Sequence, residues 1–549
     1  MSELGYHIHR RYRTAVRKLQ TAVKGPKVHP AYTRAAHYFS DGWVLNFWQI
    51  MDPRQLDADF KQIINDGFNT IILVIPWREF QNNQFHPFYD SFYIKQLDKV
   101  MRAADRHDLS VLVRVAYSHQ IPERAALSGL TQAQRLLTDK DTQKVWLDYL
   151  ARVFDICHGY RSFRYAFLSW EEFWHAFAHW QHYPLEFRTK LARDIGFKAY
   201  LDERGVRNID AVPGNVEPEH EHYHAFINHR IAQMYQQALT VFPRLSMEIR
   251  VDKDRVRRAD GEVEWLSNDS YEDIAGSRLT YWAPFMGASN KGETLPAARA
   301  VELLDHMLDE ITDQGIKPNH IIDQFNFVDE APKFKGIHAE IDSAEISHFL
   351  HAAAPLLASK STGYGVWAYR DYRQNLLYNS RFLMGMRGWE QSSGSYSLLR
   401  KGGVRLGSSA ILRQVLPPRV AGLQSAVPFD HFTLRIDCLC TITALHRLSV
   451  KINAANWIKL EPSSTARGFT TDIPVDSPIV FHDGIVIELR NDGAALKLGT
   501  LSLFHYVFRG GIRLESGQAS THHASVVDFN RQLKCLTEEA EGRGGDQTD

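Results

Sequence analysis

Short apolar runs alternate with amphipathic stretches over residues 42–375, and this rhythm restricts the fold more than any other feature of the chain. The run NTIILVIPW (69–77) has the length of a buried strand, and the stretch SFYIKQLDKVMRAADRHDL that follows has helical periodicity. Successive strand–helix units of this kind build a parallel sheet that is covered by its own helices. Eight such units predict an α/β fold of the (β/α)8 TIM-barrel class.

An open, doubly wound sheet is the alternative arrangement of the same units. No glycine-rich phosphate loop follows the first predicted strand, so dinucleotide binding is not expected. The barrel is therefore the preferred prediction. Its strands are predicted at residues 43–48, 69–77, 110–117, 165–170, 245–251, 278–285, 320–327 and 363–372.

The pattern changes after residue 375. Helical periodicity gives way to short alternating segments such as FTLRIDC and RLSVKIN, which are separated by Gly, Pro and Asp-Gly turns. This pattern predicts an all-β sandwich over residues 376–533. Residues 534–549 include the acidic, glycine-rich run EEAEGRGGDQTD and are predicted to be a disordered tail.

Residues 1–41 are predicted to be a basic N-terminal extension. No acidic residue lies between Glu3 and Asp41, whereas eight basic residues do. An arm of this kind is suited to peripheral contact with a membrane surface. The basic residues are Arg10, Arg11, Arg13, Arg17, Lys18, Lys24, Lys27 and Arg34.

The whole chain is formally neutral, with 64 Lys and Arg against 64 Asp and Glu, so no global field favours nucleic acid as a partner. No apolar stretch is long enough to span a bilayer, and no secretory signal is seen, so a cytoplasmic location is expected. Four irregularly spaced cysteines predict neither a disulfide framework nor a zinc site. No metal and no cofactor is expected.

The ends of the predicted strands combine aromatic rings with carboxyl and amide groups. In a barrel of this class the carboxyl ends of the strands converge on the active site. Rings stack on the C–H faces of sugars, and carboxylates and amides bind hydroxyl groups, so a poly- or oligosaccharide partner is predicted. The predicted substrate-binding residues are Asn46, Trp48, Trp77, His119, Trp170, Tyr281, Trp282, Asn326 and Trp367.

Hydrolysis of a glycosidic bond needs two carboxyl groups, one to protonate the leaving oxygen and one to attack or to activate water. The fourth predicted strand ends in Trp170-Glu171-Glu172 and the seventh contains Asp323-Gln324. These two strand ends supply the candidate catalytic residues.

The order FNTIILVIPW, YAFLSWEE, HIIDQF and GYGVWAY resembles the glycoside hydrolases of clan A, the cellulase and β-galactosidase-like barrels. The resemblance implies that Glu172 is the acid/base and that Trp367 floors the subsite of the cleaved sugar. It places Gln324, an amide, at the position of the nucleophilic Glu. Glu171 stands where the clan has Asn, and Ile72 replaces an Arg that is common on strand two.

An amide cannot attack an anomeric centre, and three explanations remain open. The register could be shifted by one residue, which would make Glu171 and Asp323 the working pair. The protein could be a Glu-to-Gln variant trapped for ligand binding. The barrel could have lost hydrolysis and only bind glycans.

The run Asn379-Ser380-Arg381-Phe382, followed by Gly388-Trp389, resembles the opening of jelly-roll carbohydrate-binding modules. This second resemblance implies a jelly-roll-like sandwich that either binds sugar or braces the barrel. We expect Phe382 and Trp389 to be core residues of that domain.

Overall fold

The computed structural model of the protein describes most of the chain from residue 27 to residue 545. The described residues are 27–81, 89–117, 135–136, 139–169, 184–214, 217–249, 253–257, 263–267, 278–313, 320–329, 334–416, 431–439, 447–453, 456–460, 468–474 and 485–545.

Eight parallel strands close into a barrel, which confirms the predicted fold class. Each strand pairs with the next one round the barrel, and the last pairs with the first, so no edge is left open. In spatial order the strands are β1 (Thr33–His37), β2 (Thr70–Pro76), β3 (Ser110–Tyr117), β4 (Phe163–Leu168), β5 (Leu245–Ile249), β8 (Leu279–Trp282), β10 (Ile321–Phe325) and β12 (Gly363–Val366).

The first strand is not the predicted segment 43–48. Strand β1 lies ten residues earlier, where Ala35 pairs with Thr70 on one side and Gly365 on the other. Residues 44–50 instead form a helix whose buried side chains include Val44, Phe47 and Trp48. Their i, i+3, i+4 spacing is helical, and the aromatic content of the run disguised it as a strand. The barrel therefore begins inside the predicted N-terminal extension.

Helices cover the outside of the barrel, and a short antiparallel hairpin, β6 (Lys253–Arg257) with β7 (Val263–Ser267), stands between β5 and β8. The helices between β1 and β12 are α1 (Val44–Ile50), α2 (Pro53–Asn65), α3 (Trp77–Phe80), α4 (Ser91–His107), α5 (Lys140–Cys157), α6 (Leu185–Asp194), α7 (Phe197–Glu203), α8 (His220–Val241), α9 (Ala297–Asp313) and α10 (Ile346–Lys360). A short pair, β9 (Thr294–Leu295) and β11 (Glu340–Ile341), joins two of the loops.

The helix that packs beside β12 comes from the C-terminal end of the chain. Helix α11 (His523–Gly545) lies against α10 and buries Val526, Phe529 and Leu533 in the core of the barrel domain. The prediction of a disordered tail from residue 534 is thus wrong up to residue 545. The polar residues of this segment cover the outer face of an amphipathic helix, so composition alone hid the apolar stripe.

The sandwich lies between β12 and α11 in the chain, so the barrel domain encloses it in sequence. Two five-stranded antiparallel sheets share one core, to which Leu412 and Leu489 contribute from one sheet and Leu434 and Leu503 from the other. The first sheet has the order β14 (Glu390–Ser393), β17 (Ile411–Leu416), β22 (Ile485–Asn491), β19 (Leu448–Ile452) and β20 (Ile458–Lys459). The second has the order β15 (Tyr396–Leu398), β16 (Val404–Leu406), β23 (Leu496–Phe504), β18 (His431–Cys438) and β21 (Gly468–Pro474).

Phe382 and Trp389 are buried in the sandwich core, with ring centroids 5.2 Å apart. This confirms them as core residues. The predicted sandwich, residues 376–533, extends too far, because its last residues belong to α11 on the barrel.

Polar contacts fix the sandwich to the barrel. Strand β13 (Tyr372–Arg373), which follows the last barrel strand, pairs with β24 (Val507–Phe508), which follows the last long strand of the sandwich. The side chain of Asn46 both donates to the backbone oxygen of Asn375 and accepts from its backbone nitrogen, each at 2.9 Å. Arg387 pairs with the buried Asp90 at the start of α4. These contacts therefore hold the two domains together.

Among the described residues, no helix combines the length and the hydrophobicity that a bilayer crossing requires.

We predict that Phe529→Ala lowers the free energy of unfolding by about 3–5 kcal/mol, the usual cost of truncating a buried ring. Phe529 lies against Phe325, with 6.1 Å between ring centroids, and meets Tyr364 edge-on at 5.0 Å. Chemical denaturation of the full chain measures the change.

The matched control is Arg531→Ala on the exposed face of the same helix, where Arg531 pairs only with the exposed Asp528. This control should change stability by less than about 0.5 kcal/mol. Equal effects of the two variants would contradict the packing of α11 as part of the barrel.

Candidate active site

The interior of the barrel is apolar at one level and polar at the next. The apolar level is a separate cluster formed by Ala35, Ile72, Leu112, Phe167, Leu279 and Ile321. Because side chains alternate along a strand, the residues two positions further on face the same interior, closer to the carboxyl ends. They include His37, Arg114, Ser169 and Asp323, all of which are buried.

A β-bulge in β10 turns two consecutive side chains into this polar layer. The register between β10 and β8 shifts between Ile322 and Gln324, so Asp323 is the extra residue. Ile321 belongs to the interior cluster, and Phe325 packs outward on Trp282 and Phe349. The bulge accommodates Asp323 and Gln324 on the same side, and strict alternation along the strand would have separated them.

Glu248 of β5 is at the centre of the polar layer. Its side chain is almost fully buried and accepts a hydrogen bond from the hydroxyl of Ser169, with 2.9 Å between the oxygens. The amide nitrogen of Gln324 donates to its other carboxyl oxygen at 3.5 Å. Each of the two oxygens of this carboxyl group thus accepts one hydrogen bond. Strands β4, β5 and β10 thus converge on a single carboxyl group.

The carboxyl group of Asp323 is beside Glu248 and is fully buried. Burial raises the pKa of Asp323 well above its usual value, and the negative charge of Glu248 raises it further, although Arg114 opposes the shift. Burial and the neighbouring carboxyl group therefore favour the neutral form of Asp323. The layer contains two carboxyl groups and one amide.

Trp367 follows β12 and is half-buried at the carboxyl end of the barrel. Its ring lies 4.7 Å from the ring of His37 and 5.2 Å from that of Phe39. The indole N–H donates to the hydroxyl of Tyr372 at 3.3 Å. The imidazole Nε2 of His37 lies 3.0 Å from the backbone oxygen of Asp323, so the aromatic group lies beside strand β10.

Four predicted substrate-binding residues are structural. Asn46 is held between the domains by Asn375, as described above. Trp48 and Trp77 are fully buried, and their indole N–H groups donate to the backbone of Val74 and to the side chain of Gln81, respectively. Trp282 stacks between the barrel and α10, outside the barrel interior. All four side chains are buried in this structure, and their contact with sugar stays a prediction.

Tyr281 and Asn326 are half-buried near the carboxyl ends of β8 and β10. Tyr281 is two positions after the interior residue Leu279 and so faces the polar layer. The backbone N–H of Asn326 donates to the oxygen of Trp282 at 2.9 Å. His119, Trp170, Glu171 and Glu172 lie outside the described residues.

Sequence reasoning missed Glu248, because candidates were taken from the ends of the predicted strands and Glu248 lies inside the predicted strand 245–251. A signal was present: Ser246 and Glu248 are alternate polar positions in the otherwise apolar strand LSMEI. Burying a charged residue inside a strand costs free energy unless the charge has partners. This cost identifies Glu248 as a candidate site residue from the sequence.

No cluster of three or more His, Cys, Asp or Glu side chains suited to a metal ion occurs within the part of the chain that the structure describes.

No family model matches the chain, and no curated protein matches it. Several solved structures are similar to it. GH5_18 from Streptomyces cattleya, in complex with GlcNAc, is 13% identical over 63% of this chain and 72% of its own, with a TM-score of 0.41. The exo-β-1,4-mannosidase Op5Man5 from Opitutaceae bacterium strain TAV5 is 12% identical over 64% of this chain and 55% of its own, with a TM-score of 0.39. The β-glycosidase BGL167 is 14% identical over 62% and 87%, with a TM-score of 0.36. Similarity of this size does not establish a shared activity.

We predict that Asp323→Asn gains stability relative to the wild type as the pH rises. Above about pH 4 the unfolded Asp323 releases its proton while the folded one keeps it, so rising pH destabilises the wild type until the raised pKa is reached. Asn stays neutral in both states. The advantage of the variant should grow by up to about 1.4 kcal/mol per pH unit in this window. Urea denaturation at several pH values measures it.

Asp528→Asn, at an exposed position, is the control and should show no such trend. A difference between Asp323→Asn and the wild type that is constant with pH would mean that Asp323 is ionised in the folded protein.

Proposed function

We propose that this is a glycoside hydrolase-like protein that binds a β-linked poly- or oligosaccharide at the carboxyl end of its barrel and hydrolyses or remodels it. The observation that carries this proposal is the convergence of Glu248, Asp323 and Gln324 in one buried layer next to Trp367. Carboxyl groups supply proton transfer and charge stabilisation, and an indole at the edge of the layer offers a face for a sugar ring.

In this proposal Glu172, or Glu171, is the general acid/base at the end of strand four. The support is indirect and comes from Ser169, whose hydroxyl faces the interior at Glu248.

The opposing carboxylate in this proposal is Glu248. Gln324 carries no charge, and burial together with the neighbouring Glu248 favours the neutral form of Asp323, so this proposal assigns the negative charge to Glu248. The acid/base protonates the glycosidic oxygen as its bond to the anomeric carbon breaks. Glu248 then either forms the new bond to that carbon or takes a proton from the attacking water. Separations of about 5–5.5 Å and of about 6.5–9.5 Å between the two carboxyl groups distinguish these routes.

A second candidate is a glycan-binding protein that does not hydrolyse its ligand. The observation in its favour is Gln324 itself, whose amide is hydrogen-bonded within the layer at the position where the resemblance implies a nucleophilic Glu. Such a protein would bind sugar through Trp367 and Tyr281 without turnover.

We predict that Glu172→Gln lowers hydrolysis of aryl β-glycosides and of β-linked oligosaccharides by about 10²–10⁴-fold, the usual contribution of a general acid/base. Glu171→Gln is the matched neighbour and should have the smaller effect. Measured rates on a panel of β-glucosides, β-mannosides and β-galactosides test this. Retention of full activity by both variants would remove strand four from the mechanism.

We predict that Glu248→Gln abolishes hydrolysis and that the exchange Glu248→Gln with Gln324→Glu restores part of it. The exchange moves the carboxylate by one hydrogen-bond length, from β5 to β10, and keeps the total charge. Ser169→Ala, which removes one donor to Glu248, should cause a smaller loss.

Gln324→Glu alone separates the two candidates. A large gain from an inactive wild type would show a site disabled at residue 324. No activity in either protein, together with retention of glycans on an array, would favour the binding protein.

A further inference from the structure

The amino-terminal end of the barrel, opposite the candidate site, carries a group of arginines that the proposed function does not use. Arg164 is in β4, and Arg244 and Arg278 immediately precede β5 and β8, which are adjacent strands. Their backbones are tied at this end, where the oxygen of Arg244 accepts from Ala166 at 2.8 Å and that of Arg278 accepts from Ile321 at 2.7 Å. Arg244 and Arg278 are exposed.

The positive charges of these three arginines are poorly neutralised by nearby carboxylates. Within the described ranges, no acidic side chain forms an ion pair with Arg164, Arg244 or Arg278. The nearby Asp108 is already engaged by Lys27, at 3.3 Å, and by Arg161, at 3.6 Å. On this end of the barrel the arginines are thus a cationic surface, although the whole chain is neutral.

The pKa of His29 is affected by the same positive charges. Burial, together with the positive charges of Arg164, Lys27 and Arg244, lowers the pKa of His29 to about 4. Burial likewise lowers the pKa of Arg164, with Arg278 adding repulsion. These positive charges repel one another, and no carboxylate forms an ion pair with the three arginines within the described residues. An external anion would therefore reduce the repulsion.

The chain leads from this end of the barrel into the basic arm. Lys27 and His29 are anchored beside Asp108 and Ser110, and the residues before them carry six basic and no acidic side chains after Glu3. Apolar residues recur among the basic ones at Tyr12, Val16, Leu19 and Val23, and Val28 is 90% exposed. Apolar side chains gain free energy at an acyl interface, whereas a nucleic-acid backbone offers them no such gain.

We propose that Arg164, Arg244 and Arg278 form a docking surface for an anionic phospholipid membrane. Docking at this end leaves the carboxyl end of the barrel, with the candidate site, turned away from the bilayer. The proposal does not depend on the proposed function, because it concerns the other end of the strands.

The test is co-sedimentation of the full chain with vesicles of phosphatidylcholine alone and of phosphatidylcholine with phosphatidylglycerol. We expect binding to the anionic vesicles only, with release at high salt as the screening length falls from about 10 Å at 0.1 M to about 3 Å at 1 M. Arg244→Gln with Arg278→Gln should weaken binding by about 30-fold, since each basic residue near an anionic surface contributes roughly fivefold. Arg244→Glu with Arg278→Glu should weaken it further.

The matched control is Arg299→Glu with Arg413→Glu, which makes the same charge change at partly exposed arginines on α9 and on the sandwich. It should bind the anionic vesicles like the wild type. Thermal melting of each variant confirms that it is folded.

Three results would overturn the proposal. They are no binding of the wild type to the anionic vesicles, equal losses in the Arg244/Arg278 and control variants, and tighter binding to a single-stranded RNA than to the vesicles at the same salt concentration.

Discussion

The bidentate ion pair between Asp66 and Arg513 is the contact on which the arrangement of the two domains depends. Two nitrogens of Arg513 donate to the two carboxyl oxygens of Asp66, at 2.8 and 2.7 Å, and Tyr369 and His523 share the same carboxylate. Burial opposes the charge on Asp66, but these hydrogen bonds hold its pKa below the usual value. Asp66 ends α2 near the start of the barrel, and Arg513 follows the sandwich. The pair brings the chain back to the barrel after more than a hundred residues elsewhere.

Because the chain returns to the barrel after the sandwich, the sandwich is an insertion within the sequence of the barrel domain. Once Arg513 is docked, α11 lies against β12 and α2, where Asn530 accepts from the hydroxyl of Tyr364 and donates to the backbone oxygen of Asp66. Removing α11 would expose Tyr364 and Phe325, which line the outer face of β12 and β10. The residues that precede and follow the sandwich thus belong to one folding unit, and the candidate site rests on strands that α11 supports.

The sequence was sufficient to predict the barrel, most of its strands and the sandwich, because both depend on hydrophobic periodicity, which is local. It was insufficient for β1 and α11. TRAAH is short, and its Thr33 and Ala35 lie against Gly363 and Gly365, a requirement set by a partner that lies far away in sequence. In the site, Asp323, Gln324 and Trp367 were predicted from strand ends, and the structure places them in or beside the polar layer. Trp48, Trp77 and Trp282 were predicted in the same way but are buried, since a tryptophan at a strand end can face the helices as well as the interior. Glu248 was missed, and the bulge that brings Gln324 to it has no local sequence signal.

The strands separate two kinds of charge. Strand β4 has Arg164 at one end and is followed by Ser169 at the other, and β5 is preceded by Arg244 and ends next to Glu248. Four residues of extended chain span roughly 13 Å, so the cationic surface and the carboxyl layer are on opposite sides of the apolar cluster of Ile72, Leu112 and Phe167. Because the coulombic energy falls with distance, each group of charges is stabilised or destabilised mainly by its nearest neighbours. Binding of a ligand at one end therefore need not weaken binding of a ligand at the other end. A barrel that is held at a surface by its amino-terminal end requires this independence of the site at its carboxyl end.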